Sequence, residues 1–378
     1  MNNCIELQYS IPTMYSNKYT VIISRRIDSL LETFLQNLGE STSKIAIVYD
    51  EGVPKRYLEE VVDFVGKSIS TKKYSLAGGE GVKTLDTLIE LWRWFLQNNF
   101  SRGDLILAVG GGAVLDVVGL AASTYMRGLQ WATIPTTLLA MIDAGLGGKT
   151  GINFEGAKNI IGSFYLPVFT IIDTTLVKYL GIEEYRSGLG EVVKYAVIRG
   201  GEFFELVNKN IDRLLKRDPD IIDSIVIESV KTKMKVVEKD PFETSGDRVV
   251  LNLGHTFGHI IEESIAGVKH GYAVSVGLVV EYIASAMFYE RDLESVTEII
   301  KILDKFSILK KEYIKNIDCY SISELIFFDK KRRGERYILV PLIYRIGNVK
   351  VEKLDLDLYS SLLVRACIEA KKVLRDDG

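Results

Sequence analysis

Short β-branched runs alternate with helix-period segments through the first half of this chain, and no other feature constrains its fold as strongly. Lys44–Tyr49 reads as a buried strand ending at Asp50, and Asp104–Val109 as another that runs into glycines. Trp131–Ile134 and Phe169–Ile172 read as two more. Val53–Gly66 and Leu85–Asn98 carry apolar residues at helical spacing. Parallel strands need crossover connections, so this alternation predicts a mostly parallel α/β sheet. From about Leu176 the pattern turns helical, over Tyr185–Ile198, Glu202–Lys216, Ile221–Val237, His255–Ser264 and Val274–Tyr289. A late β-rich stretch, Tyr337–Tyr344 with Gly347 behind it, reads as a hairpin. The 378 residues exceed one ordinary core. The expected architecture is therefore two domains: an N-terminal Rossmann-like α/β domain over residues 1–170 and a mainly helical domain over 171–378. The charged end, Lys371–Gly378, is expected to fray.

Composition excludes several classes. The net charge of −3 gives no electrostatic reason to bind nucleic acid or an acidic membrane. The apolar stretch around Leu105–Ala122 is broken by glycines and Asp116, too short to span a bilayer. Met1–Glu6 lacks a basic segment followed by an apolar run, so no signal peptide is expected. Cys4, Cys319 and Cys367 lie far apart, with no metal spacing and no disulfide framework expected. Together these point to a cytoplasmic enzyme.

Two segments suggest anion binding. Gly110-Gly111-Gly112 follows a predicted strand and opens a helix, where the backbone can approach a phosphate and helix N–H groups can bind it. A plain tight turn has about even odds for such a run, which is not the dinucleotide fingerprint. Gly78–Lys83 is a second glycine-rich turn. Residues 123–162 then place Arg127, Lys149 and Lys158 among Gly and Thr in an apolar context. Such cations can hold a phosphate or carboxylate, Arg127 as a fork and the lysines as point charges.

The only three histidines, His255, His259 and His270, share one sixteen-residue window. Random placement would do this roughly once in two hundred trials. His255 and His259 are one helical turn apart and share a face, so spacing alone would make both of them metal ligands, with His270 as a third. Glu191 opens an apolar helical run, as a helix-stabilising charge or as a ligand. Two histidines and a glutamate are a standard set for catalytic zinc with one position left open. These residues describe an enzyme acting on a phosphorylated or carboxylated small molecule.

Taken in order, the segments Gly110–Asp116, Ser123–Gly128, Pro135–Asp143, Gly147–Thr150, Lys158-Asn159, Glu191–Lys194, Asn252–His259 and His270-Gly271 resemble the 3-dehydroquinate synthases, from about Asp50 to Lys331. The resemblance implies a carbon–oxygen lyase of the shikimate pathway that uses NAD and one divalent metal, zinc or cobalt. Its substrate would be 3-deoxy-D-arabino-heptulosonate 7-phosphate. Transient oxidation, phosphate elimination, re-reduction, ring opening and aldol closure would give 3-dehydroquinate. Position by position, Glu191, His255 and His270 correspond to the metal ligands, and His259 to a non-ligand histidine in proton transfer. In this respect the resemblance overrides the spacing argument. Arg127, Asp143, Lys149, Asn159, Lys194, Lys233, Arg248 and Asn252 correspond to substrate-contacting or catalytic positions. At least one of Lys330 and Lys331 matches a substrate lysine. Asp50, Glu80, Lys83, Gly111, Gly112, Asp116, Thr136, Thr137 and Lys158 correspond to the NAD site. Arg127 matches an arginine that reaches a neighbouring subunit, which implies a homodimer.

The chain departs from the family pattern at Leu180-Gly181, where many members have Leu-Pro. It also carries one extra residue near Thr244-Ser245, so Glu243 is given no role. Two other readings stand beside the resemblance: a sister cyclase with different pocket cations, and a polyol dehydrogenase that would release NADH. A non-catalytic binding protein fits less well, because every candidate position holds a competent residue.

Overall fold

The computed structural model describes residues 4–13, 15, 18–39, 42–322 and 336–374. β3 (Lys44–Asp50), β5 (Leu105–Gly110), β6 (Gln130–Pro135) and β9 (Phe169–Asp173) are the four strands expected from the alternation. All six residues of β5 are buried, as in a strand covered on both faces. The sheet has seven strands in the order β1-β2-β9-β6-β5-β3-β4. All its pairings are parallel except that of β1 (Ile5–Tyr9) with β2 (Tyr19–Ser24). β4 (Ser70–Leu76) and β1 are largely exposed edge strands, which is why they lack the continuous apolar run of the inner strands.

The chain passes from β3 out to β4, then back to β5 on the other side of β3. This reversal is the switch point at which open α/β sheets bind ligands. Asp50 ends β3 and Gly110 ends β5 there. α1 (Ile27–Gln36), α2 (Lys55–Gly66), α3 (Leu85–Gln97) and α4 (Gly112–Thr124) provide the crossovers. β7 (Lys149–Phe154) and β8 (Ala157–Phe164) form a separate hairpin that the alternation does not predict. A Cβ on Gly119 of α4 would stand 2.5 Å from Thr150 and 2.7 Å from Trp131, so the missing side chain lets β7 lie against the helix.

Two compact units result: residues 1–181 with 222–234, and residues 182–221 with 235–378. The division falls after Gly181 and not near residue 170, because β9 is an inner strand paired with both β2 and β6. Residues 222–234 of α8 (Pro219–Lys239), expected in the helical domain, count with the first unit.

The second unit is built on α10 (His270–Phe288), with α5 (Ile182–Arg199), α9 (His255–Ser264) and the C-terminal helix Leu356–Val373 packed against it. α6 (Gly201–Lys209), α7 (Ile211–Leu215), α11 (Glu294–Lys305), α12 (Lys311–Asn316) and the hairpin β10 (Tyr337–Arg345) with β11 (Asn348–Asp355) complete it. Among the described residues α10, not the stretch around Leu105–Ala122, is the one helix long and apolar enough to cross a membrane. Its most apolar stretch is 89% buried, as in a core helix. The cysteine expectation also needs correcting: Cys319 and Cys367 form a disulfide. Their 48-residue separation is bridged because the C-terminal helix folds back to the segment after α12, bringing the Cα atoms to 5.8 Å. The C-terminal helix continues through Val373, so Lys371–Val373 are helical, and residues 375–378 of the stretch expected to fray lie outside the described residues.

Candidate functional site

Three helices of the second unit meet at glycines that flank three candidate ligands. On α5, Gly190 precedes Glu191; on α10, Gly271 follows His270. A Cβ on Gly190 would overlap the Gly271 carbonyl, and one on Gly271 would overlap the Ser187 carbonyl. Gly254 precedes His255 at the head of α9 and adopts φ +77°. A Cβ on Gly277 would overlap the Gly254 carbonyl. Backbone therefore packs on backbone beside each ligand, and ligand atoms of Glu191, His255 and His270 converge within 4.8 Å of one another.

The donor set fits a divalent transition ion. Nε2 of His255 lies 3.6 Å and Nε2 of His270 lies 3.4 Å from Glu191 Oε1, so all three converge on one point. The far side of each ring is held. His255 Nδ1 lies 3.1 Å from the Leu253 carbonyl, and His270 Nδ1 lies 3.4 Å from Glu262 Oε1. Such outer contacts fix the ring orientation and leave Nε2 free to ligate. The other oxygen of Glu191, Oε2, pairs at 2.5 Å with Lys194, which also donates to the Leu251 carbonyl at 3.0 Å. Glu191 and Lys194 are both buried, so each compensates the other's charge. Burial and the nearby Lys194 cation depress His255 to about 3. Burial also opposes charge on His270, yet Glu191 and Glu262 raise it to about 10.

His259 lies one turn along α9, exposed, with its ring centroid 5.7 Å from that of His255. Arg248, 2% exposed, donates from Nη1 to the Pro241 carbonyl at 2.9 Å. The loop before it is wound around buried Asp240, which accepts from the N–H groups of Thr244, Ser245, Gly246 and Arg248. Burial works against the charge on Asp240, but these bonds hold its pKa below the usual value. Glu243 lies in this loop at φ +56°. Asn252 ends the short 3₁₀ turn Asp247–Asn252 and is partly buried.

In the first unit, the switch point carries the NAD candidates. A Cβ on Gly78 would stand 2.5 Å from the Asp50 carboxylate, and one on Gly110 would stand 3.0 Å from Val114. Glycine thus opens the space over the ends of β3 and β5. α4 begins at Gly112 with no side-chain cap, so its first N–H groups are not claimed by a side chain. This is a surface that a pyrophosphate fits. Lys83, 3% exposed, donates to Asp116 Oδ2 at 2.6 Å and to Asn159 Oδ1, and lies 3.7 Å from Glu80. Burial raises Asp116 to about 6, with Lys83 pulling the other way. Thr136 donates its backbone N–H to the Gly110 carbonyl, and the Thr137 hydroxyl accepts from the Ala140 N–H. Asn159 is therefore grouped with Lys83 and Asp116, and the charge of Asp143 is close enough to act on Asp116 as well.

Asp143 and Lys233 form their own pair. Ala140–Ala144 is a π-helical turn, a feature often found at functional sites. It presents Asp143 to Lys233, whose Nζ donates to the Asp143 carboxylate at 2.6 Å and to its carbonyl at 2.7 Å. Lys149 is exposed, with Nζ 5.9 Å from the Phe164 ring centroid, and Lys158 is exposed on β8. Arg127 is exposed at φ +65° in the turn after α4. Lys330 and Lys331 lie outside the described residues.

Residues 73–187 match the family model for the 3-dehydroquinate synthase N-terminal region, and 188–332 match that for its C-terminal region. The chain belongs to the 3-dehydroquinate synthase family. The 3-dehydroquinate synthase of Pyrococcus furiosus is 39% identical over 91% of this chain and 97% of its own. That of Sulfolobus acidocaldarius is 39% identical over 84% of this chain and 90% of its own. Among solved structures, a 2-deoxy-scyllo-inosose synthase complexed with carbaglucose-6-phosphate, NAD+ and Co2+ superposes with a TM-score of 0.82 at 23% identity, covering 96% of this chain and 99% of that one. A 2-epi-5-epi-valiolone synthase from Streptomyces hygroscopicus, with NAD+ and Zn2+ bound, superposes at 0.77, covering 93% and 97%. These two likenesses show the shared fold. The motifs contain all three candidate ligands, but three carboxylates around them lie outside those motifs: part-buried Glu262 behind His270, and buried Asp240 inside the Arg248 loop and Glu281 on α10. Glu262 lies near the end of α9 and His270 begins α10, so no helical spacing links them in sequence and only the packing of the two helices brings them together.

Proposed function

We propose that this chain is a 3-dehydroquinate synthase that converts 3-deoxy-D-arabino-heptulosonate 7-phosphate to 3-dehydroquinate and phosphate. The observation that carries the reading is the convergence of Glu191, His255 and His270, with Lys194 on the second oxygen of Glu191, in a chain up to 40% identical to enzymes of that name. When bound, NAD takes up and returns a hydride, and the divalent ion serves as a Lewis acid toward substrate oxygens.

The chain's own residues bind, orient and move protons. Glu191, His255 and His270 hold the ion, and Asp50, Glu80, Lys83, Gly111, Gly112, Asp116, Thr136, Thr137 and Lys158 are assigned to NAD. Arg127, Lys149, Lys233, Arg248 and Lys330 or Lys331 supply positive charge for the phosphate and carboxylate. Asp143, Asn159 and Asn252 supply hydrogen bonds. Holding a phosphorylated acid at both ends restricts its conformers, and orientation of this kind lowers the barrier to elimination and ring closure. Lys194, buried and fixed at two oxygens, is placed to hold a proton beside the ligand set. His259, exposed one turn from His255, is assigned proton transfer near the substrate phosphate.

A homodimer belongs to the same proposal. The β7–β8 hairpin exposes Phe154, Ile160, Ile161 and Phe164, and Met126 beside Arg127 is also exposed. An apolar face of this kind is the usual mark of a protein contact. Sedimentation of the purified chain should give a dimer at micromolar concentration, and a monomer would remove this part of the reading. A cytoplasmic location is proposed with it; the Cys319–Cys367 disulfide stands against the usual cytosolic pattern, but disulfides do occur in intracellular proteins of hyperthermophiles.

The activity is tested by incubating the protein with zinc, a trace of NAD and the heptulosonate phosphate. Phosphate release in large excess over NAD, with dehydroquinate formed and no NADH building up, is expected. No turnover with metal and NAD demonstrably bound would favour a sister cyclase, and NADH in step with substrate would favour a polyol dehydrogenase.

A further inference from the structure

Glu281 lies in the middle of α10, 1% exposed, among sixteen buried residues of that helix. A lone carboxylate in such a place is costly unless it is bonded. Its bonds are specific. Oε2 accepts from the Gly254 N–H at 2.8 Å, and Oε1 accepts from the Phe257 N–H at 3.0 Å. Both donors belong to the head of α9, whose first residue is His255. Helix heads leave several N–H groups unpaired and favour a negative charge. α9 has glycine at its cap position and no side-chain cap there. The cap comes instead from a carboxylate on a different helix.

The placement is not local to α9. Glu281 follows His270 by eleven residues, about three helical turns, so the two share a face of α10. At the same seam Gly277 lies under the Gly254 carbonyl and Gly258 lies on Ala273 and Val274. The helix that carries one histidine ligand thus grips, through its own carboxylate, the backbone on both sides of the other. We propose that Glu281 is a positioning residue for the metal centre: by capping α9 it sets the direction from which His255 enters the site, relative to His270. Burial raises Glu281 to about 7 against the pull of these N–H bonds.

The inference rests on the metal reading, and the two can fail separately. Zinc affinity is measured by competition with a chromophoric chelator, and site geometry by the visible bands of the Co2+-substituted protein. These are compared for the unmodified chain, Glu281→Gln and Glu281→Asp, alongside the melting temperature without metal. The amide of the Gln variant offers one acceptor where two N–H groups need one each, and Asp is one methylene short. Both are expected to weaken zinc binding about 10–100-fold, as outer contacts of metal ligands do, and to shift the Co2+ bands. Variants that melt lower yet bind zinc and show Co2+ bands like the unmodified chain would overturn the proposal and leave Glu281 a core residue. Should neither variant fold, hydrogen exchange of the unmodified chain decides: slow exchange at Gly254 and Phe257, with or without zinc, is expected, and fast exchange at both would overturn it. Failure of the unmodified chain to bind zinc would instead remove the metal reading.

Discussion

The three histidines separate by partner and not by spacing. His255 and His270 each have one ring nitrogen tied back, to a carbonyl and to Glu262, and the other facing Glu191. His259 is outside that convergence. His255→Ala and His270→Ala should therefore lose stoichiometric zinc, whereas His259→Ala should keep it and lose turnover. Elemental analysis of the purified variants decides, and a His270→Ala protein that retained one zinc would remove that ligand. Asp116 makes a different prediction. Burial raises its pKa from 3.8 to about 6, so the folded chain holds that proton more tightly than the unfolded chain does. The stability it contributes is full below the unfolded value and is lost as pH rises through the folded one. Asp116→Asn lacks this titration. Its stability relative to the unmodified chain should improve by about 3 kcal/mol between about pH 4 and pH 7. Parallel pH profiles of melting temperature would show that the carboxyl is not perturbed.

Elements were legible where burial imposed a period, and illegible where it did not. β3, β5, β6 and β9 are inner strands with continuous apolar runs, so sequence alone locates them to within a residue or so. β4 reads Ser-Thr-Lys-Lys-Tyr-Ser-Leu because it is an edge, and β8 is exposed along most of its length. The histidine window contains two of the three candidate metal ligands, but the mates of that window come from helix contacts. Gly190, Gly254, Gly271 and Gly277 look like ordinary helix glycines in sequence, and only the packing shows that each removes a Cβ from a backbone contact. Gly271→Ala tests this. The added methyl has rigid backbone, not a side-chain tip, in its way, so α5 and α10 must part. Overpacking costs typically 1–3 kcal/mol and occasionally more, and the upper end is expected here, with zinc affinity falling alongside. A variant that melts and binds zinc like the parent would mean that the seam is softer than its backbone contacts imply.

At the scale of the whole chain, linear order misleads twice. Residues 222–234 look like one stretch of a helical domain, yet they belong with the α/β unit, where Thr174 and Arg25 both bond to Asp223 and Asp143 bonds to Lys233. Periodicity identifies a helix but carries no information on which core receives it. The cysteines mislead in the same way. Cys319 and Cys367 match no spacing rule because their proximity is made by the C-terminal helix returning to the segment after α12. Both are buried, and the bond closes a separation of 48 residues within the second unit. Loop-closure entropy for a span of that size corresponds to about 4 kcal/mol. Intact mass measured without reductant should show two hydrogens fewer than the reduced chain, with Cys4 as the one thiol that reacts after denaturation. Cys319→Ser should lower the melting temperature of the metal-bound protein, and reductant should lower that of the parent but not of the variant. Three titratable thiols in the freshly purified, denatured protein would show instead that the two sulfurs meet in the fold without joining, and the stabilisation assigned to the cross-link would then have to come from packing alone.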